Sequence, residues 1–150
     1  MQGERAPTVV LVGARSVRQG TGPFIAAGLQ AAGAEVAAIV GTSEESVSEA
    51  RSALIKQWQI EPRTYTDLSR ALELERPDAV AICSPWRWHG QQLAQVARAG
   101  SHCLVEKPLV WPASLSEVEA LLAAFEQRNL LLQMVAQWPC TLPSFIALHA

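Results

Sequence analysis

Six short apolar runs recur along the chain, and between successive runs lie stretches whose apolar residues fall on one helical face. The first run, Thr8 to Val12, is continuous, β-branched and ends at Gly13, as suits a strand buried on both faces of a parallel sheet. The spacing predicts a helix from Pro23 to Ala32, with Pro23 in the first turn, where a missing N–H is harmless, and Gly33 just past the end. A second strand, Glu35 to Val40, leads to a helix opened by Thr42 and Glu45 as a capping box, with Val47, Ala50, Leu54 and Trp58 inward. Thr64 and Tyr65 make a third strand, and Asp67 caps a helix running to about Glu75 with Leu68, Ala71 and Leu72 inward. The fourth strand is Ala79 to Cys83. Leu93, Val96 and Ala97 mark the next helix, closed by Gly100, and His102 to Val105 is the fifth strand. Ser114 and Glu117 open the last helix, with Leu115, Val118, Leu121, Leu122 and Phe125 inward, before a sixth strand over Leu130 to Val135.

Strands that alternate with helices in this way favour a doubly wound α/β fold, a mainly parallel six-stranded sheet with helices on both faces. Six strands fit a complete Rossmann sheet, with a flavodoxin-like sheet as the rival. At 150 residues and 49% hydrophobic content, the chain suits one domain over 1–150, of which 136–150 reads as an irregular tail. A formal net charge of −2 offers no basic field for nucleic acid. Cys83, Cys103 and Cys140 lack the close spacings of a zinc site or redox pair and read as free thiols. Met1 to Pro7 has no apolar signal core, and no later stretch is apolar for membrane-spanning length, so the expected location is the cytoplasm.

The loop after the first strand carries the first chemical signal. Glycines there permit a tight turn and let backbone amides approach a pyrophosphate at a helix N-terminus. Gly13, Gly20 and Gly22 are placed for this, with Ala14 after Gly13 and a loop expanded beyond the usual G-x-G-x-x-G. Arg15 and Arg18 lie in the expansion, either as solvated loop arginines or as ligands of a phosphate oxygen, including the 2′-phosphate of NADP. After the second strand stand Thr42 and Ser43 rather than the acid that commonly binds the ribose diol of NAD. Small hydroxyl residues there lean the reading toward NADP over NAD, unless they merely cap the helix.

Two further runs follow the fourth and fifth strands: Ser84-Pro85-Trp86-Arg87-Trp88-His89 and Glu106-Lys107-Pro108. Together with Ala81-Ile82-Cys83 before them and Gly100 between them, these runs resemble the glucose-fructose oxidoreductase and inositol dehydrogenase family (Gfo/Idh/MocA). The likeness extends from the first strand to about Val135, and Glu-Lys-Pro is its most specific part. The resemblance implies an NAD(P)-dependent oxidoreductase acting on a sugar, cyclitol or related alcohol or carbonyl. It places Lys107 at the reacting oxygen, where a fixed cation stabilises the charge developed during hydride transfer. Glu106 is implied to position Lys107 or touch the nicotinamide ribose, Pro108 to fix the turn, as through the cis bond seen in family members, and Ser84, Pro85 and Trp86 to line the nicotinamide pocket. His89 is expected to support the loop or cap a helix rather than transfer a proton.

Family members are about twice this length and continue into a second domain that supplies a catalytic histidine and much of the substrate pocket. His149 lacks the context to replace that histidine. The expectation is therefore an oxidoreductase-derived half, incomplete as a catalyst on its own: the cofactor domain of a longer enzyme, a chain that works with a separate chain supplying the second domain, or a short family member, with Trp86, Trp88, Trp111 or Trp138 as candidate anchors for self-association. The alternative is a non-catalytic nucleotide sensor or interaction module built on the same fold.

Overall fold

The computed structural model describes residues 5–15, 20–136 and 146–147. Arg18, Trp138, Cys140 and His149 lie outside the described residues, as does nearly all of the expected tail. The elements run β1 (Thr8–Val12), α1 (Gly22–Ala31), β2 (Glu35–Val40), α2 (Glu44–Trp58), β3 (Arg63–Tyr65), α3 (Leu68–Glu75) and β4 (Ala79–Ile82). A single 3₁₀ turn over Trp86–Trp88 then leads to α4 (His89–Ala99), β5 (His102–Glu106), α5 (Leu115–Glu126) and β6 (Leu132–Val135). No helix among the described residues is long and apolar enough to cross a membrane.

The six strands form one sheet in the order β3-β2-β1-β4-β5-β6, and every pairing is parallel. This is the doubly wound Rossmann order, not the flavodoxin-like one. Because successive side chains on a strand point to opposite faces, the strands feed two separate cores. Val10, Val12, Val80, Ile82 and Val105 meet Leu72, Leu93, Val96 and Phe125 of α3, α4 and α5. Val9, Leu11, Ile39 and Ala81 meet Ala26 of α1 and Val47, Ala50 and Leu54 of α2.

Two expectations at helix starts and faces are corrected. The capping box of α2 is Ser43 with Ser46, not Thr42 with Glu45: Ser43 Oγ accepts from the Ser46 amide at 3.2 Å, and Ser46 Oγ accepts from the Ser43 amide at 3.1 Å. Ser43 has the extended backbone that a cap requires. On α5, Leu115 and Leu122 face outward, 74% and 44% exposed, whereas Phe125 is buried and Leu121 packs against the core. The helix lies on α4 near the edge of the sheet, so a narrower stripe than the periodicity suggested is covered.

At the N-terminal ends of the strands, Asp78 ties β1 to β4. Its carboxylate receives Arg5 through two 2.7 Å bonds, and also the Thr8 amide at 2.7 Å and the Thr8 hydroxyl at 3.0 Å. The Arg5 guanidinium and the Thr8 bonds hold this carboxyl well below the usual carboxylate range. A depressed folded-state value means that the unfolded chain takes up protons first. The stabilisation is therefore present above the ordinary aspartate pKa and is lost as pH falls below it. Asp78→Asn is expected to lower unfolding stability at neutral pH by about 1 kcal/mol, since the Arg5 side is screened by solvent and the Thr8 bonds carry most of the effect. Urea titrations of both proteins should show the difference shrinking steadily once the pH drops below about 4.

Candidate functional site

In the strand order the chain reverses direction of growth between β1 and β4, and ligands of open α/β sheets bind beyond the C-terminal strand ends at such a switch point. The loops after β1, β2, β4 and β5 gather at that edge. Cys83 donates its amide to the Val12 carbonyl at 2.8 Å, and Gly13 donates to Val40 at 3.0 Å, so the end of β1 is held from both sides.

Gly13 adopts φ +86°, and a Cβ built on it would stand 2.8 Å from the backbone of Cys83 and Ser84. A Cβ on Gly22 would stand 2.2 Å from the Gly13 oxygen and 2.9 Å from the Ala14 Cα. These two glycines therefore let β4, the loop and the start of α1 close on one another, and Ala14 is buried beside them. Gly20 is half-buried. The start of α1 has no side-chain cap and no acid in its first turn, whereas α2, α3 and α5 are capped by Ser43, Asp67 and Ser114. Among the described residues the amides at this helix start receive no side-chain cap, as a bound phosphate requires.

The exits of β1 and β2 differ from expectation. Arg15 is paired with Glu49 of α2, Nη2 to Oε2 at 2.7 Å, instead of standing free for a phosphate. The Ser43 hydroxyl is engaged at the α2 cap, and Thr42 is exposed. Of the residues that favoured NADP, Arg15 and Ser43 thus meet protein partners first, Arg15 through Glu49, which the sequence reading missed. Its signal was its exposed helix position after β2, one turn beyond Glu45.

Beyond β4 and β5, the fully buried His89 ring lies between two loops. Nδ1 is 2.8 Å from the Pro108 carbonyl and Nε2 is 2.8 Å from the Ser84 carbonyl. Each nitrogen donates when it carries a proton, so a neutral ring serves one carbonyl at a time and a charged ring both. The Ser84 hydroxyl donates to Gln92 Oε1 of α4 at 2.5 Å, a second partner the sequence did not announce. Pro85 and Trp86 are exposed at the loop tip, and the Arg87 guanidinium lies 5.7 Å from the Trp88 ring centroid.

The peptide bond from Lys107 to Pro108 is cis. Lys107 is exposed, whereas Glu106, one residue earlier at the end of β5, turns inward and leaves Oε1 buried with no hydrogen-bond partner among the described residues. Burial, with the neighbouring Glu106 charge added, pushes the Cys83 thiol up to about 12 against the opposing pull of the Thr21 hydroxyl. Glu106, Cys83 and Thr21 are therefore neighbours beside the start of α1. Cys103 is likewise pushed up to about 12 by burial, and neither thiol is a nucleophile at neutral pH. A buried carboxylate oxygen without a donor, close to an uncapped helix start, fits a dinucleotide that brings hydroxyl or amide donors with its phosphates.

A cleft of about 260 Å³ opens beside this edge, lined by Trp86, Arg87, Val110, Trp111, Glu117 and Leu121. A larger hollow of about 720 Å³, bordered by Arg76, Asp78, Arg98 and His102, lies at the opposite ends of β4 and β5, away from every loop just described.

Residues 8–136 match the oxidoreductase family with an NAD-binding Rossmann fold, Gfo/Idh/MocA. The chain belongs to that family. Over 81 residues, 51% of this chain and 18% of the relative, it is 37% identical to an alpha-N-acetylgalactosaminidase of Shewanella oneidensis. UDP-N-acetylglucosamine 3-dehydrogenase of Acidithiobacillus ferrooxidans superposes with TM-score 0.69 at 25% identity, covering 86% of this chain and 38% of that one. Scyllo-inositol dehydrogenase of Lactobacillus casei, solved with NAD(H) and scyllo-inositol, shares the fold with TM-score 0.70 at 22% identity, covering 86% and 36%. The Gfo/Idh/MocA chain described here thus spans under a fifth of its curated relative and little more than a third of these solved chains.

The glycine geometry separates two substitutions. Gly13→Ala forces a side chain into the β4 backbone at positive φ and is expected to destabilise the domain by about 2 kcal/mol or more. Gly28→Ala, on α1 with open space around it, is expected to stabilise by roughly 0.5–1 kcal/mol. Thermal unfolding of the two variants beside the parent checks both signs.

Proposed function

We propose that this domain binds a nicotinamide dinucleotide, NAD or NADP, across the β1–β4 switch point and takes part in hydride transfer to or from a sugar, cyclitol or related alcohol or carbonyl. The observation that carries the reading is the pairing of Glu106 and Lys107: one strand end turns an unpartnered carboxylate oxygen inward and presents a lysine outward. The nicotinamide supplies the hydride acceptor or donor.

The chain's own residues then divide the work. Gly13, Ala14, Gly20 and Gly22 leave room for the pyrophosphate, and the amides at the start of α1 bind it. Pro85 and Trp86 flank the nicotinamide side, with Ser84 fixed beneath them by Gln92 and His89. Glu106 accepts from the nicotinamide half of the cofactor. Lys107 holds its ammonium at the substrate oxygen, where a preorganised cation is worth most as negative charge develops. His89 acts through position, tying the Lys107–Pro108 loop to the Ser84 loop.

An alpha-N-acetylgalactosaminidase and a UDP-N-acetylglucosamine 3-dehydrogenase among its relatives support a carbohydrate substrate. Because Lys107 stands exposed at the rim, the reading includes substrate contacts from outside residues 8–136, so the domain alone orients substrate poorly and turns it over slowly.

Calorimetric titration with NAD and NADP should give saturable binding of at least one of them, and no binding of either at millimolar concentration overturns the proposal. Lys107→Met should leave that affinity within about twofold, while lowering turnover of sugars and cyclitols, followed by reduced-nicotinamide absorbance, about 10²-fold or more. Unchanged activity in that variant favours a non-catalytic nucleotide-binding module. Release of free sugar from an aryl N-acetylgalactosaminide would redirect the reading to glycoside hydrolysis.

A further inference from the structure

We infer that Glu49 sets the choice between the two dinucleotides, holding Arg15 so that the site takes NAD and disfavours NADP. The inference rests on the proposed dinucleotide reading and adds to it a specificity-determining residue outside the phosphate loop.

β1 and β2 are parallel neighbours with Val12 opposite Val40, so the chain leaving each strand emerges at the same edge. Arg15 follows β1 by three residues, and α2 begins at Glu44, four residues past the end of β2. The Arg15–Glu49 ion pair spans the gap between those two exits. In a doubly wound sheet the adenosine ribose lies at that gap, and the groups there decide whether a free 2′-hydroxyl or a 2′-phosphate is accepted.

Charge comes next. A 2′-phosphate brings about −1.5 to −2 charges at neutral pH. It needs a guanidinium with charge to spare. Arg15 already has a carboxylate at 2.7 Å, and the first turn of α2 adds Glu44 and Glu45. Glu45 and Glu49 stand at i and i+4, on one face of the helix. The first two turns of α2 therefore carry Glu49, paired with Arg15, and Glu44 and Glu45, carboxylates that repel a phosphate and accept hydrogen bonds from a ribose diol. No small acid at the end of β2 is needed for this. The pair itself is open to competition, since Arg15 and Glu49 are 45% and 54% exposed, and such a pair is weak enough for one changed residue to redirect Arg15.

The experiment measures dissociation constants for NAD and NADP by calorimetry with the whole chain, on the parent, Glu49→Gln, Arg15→Gln and the double variant. The parent should bind NAD more tightly than NADP. Glu49→Gln should tighten NADP by about three- to tenfold with NAD changed less than about twofold. In the double variant that gain should vanish, and in the single variant it should shrink in molar salt, where the screening length falls to about 3 Å. Both substitutions are at exposed positions, and coincident melting curves confirm that the fold is kept.

A parent that prefers NADP overturns the inference. So does a Glu49→Gln protein with an unchanged NADP to NAD ratio, and so does a gain that survives removal of Arg15. In each of these cases dinucleotide binding itself remains intact. If neither dinucleotide binds the parent, the proposed function fails and this inference fails with it.

Discussion

A parallel sheet cannot be connected by tight hairpins. Each strand must return through a crossover, and with right-handed crossovers on both faces all the outgoing loops end at one edge. Here that constraint collects the glycine loop, the exit of β2, the Ser84–Trp88 loop and the Lys107–Pro108 turn at one edge of six strands, although Gly13 and Pro108 lie 95 residues apart in sequence. The chemistry of the site depends on this gathering. So does its rigidity, since both faces of the sheet are buried and the strand ends have little freedom to move apart.

Within that edge, backbone contacts do more than side chains to set distances. Gly13 allows the first loop to lie against the backbone of Cys83 and Ser84, and Gly22 allows α1 to start against Gly13 itself. His89 then spans from Ser84 to Pro108. A chain of direct contacts thus runs from the glycine loop to the Lys107–Pro108 loop, and the residues at this edge inherit their spacing from it.

Most of the fold was legible because buried parallel strands read as unbroken apolar runs and because Pro23, Asp67, Gly100 and Ser114 act locally, through backbone angles and capping, at the positions they occupy. The exact start of α2 was not. Thr42 and Ser43 are both competent caps, and only the extended backbone of Ser43 decides between them. Leu115 and Leu122 carry the same helical period as Phe125, yet periodicity does not state how much of a helix face its neighbours cover. In the site, the glycines and the Glu106–Lys107–Pro108 turn could be located from strand ends alone. Their partners could not: Glu49 is 34 residues from Arg15, and Gln92 pairs with Ser84 from the far side of a helix turn. Long-range pairing of exposed polar residues leaves almost no trace in a single sequence.

The Asp78 cluster with Arg5 and Thr8 sits at the opposite end of β1 and β4 from Gly13 and Cys83. The same two strands are therefore fastened at one end by charge and closed at the other by backbone proximity. The two ends answer to different variables, acidity at one and side-chain volume at the other. A lineage carrying this architecture can tune tolerance to acid at the bottom of the sheet while ligand preference drifts at the top, with two strands of buried aliphatic residues insulating one from the other.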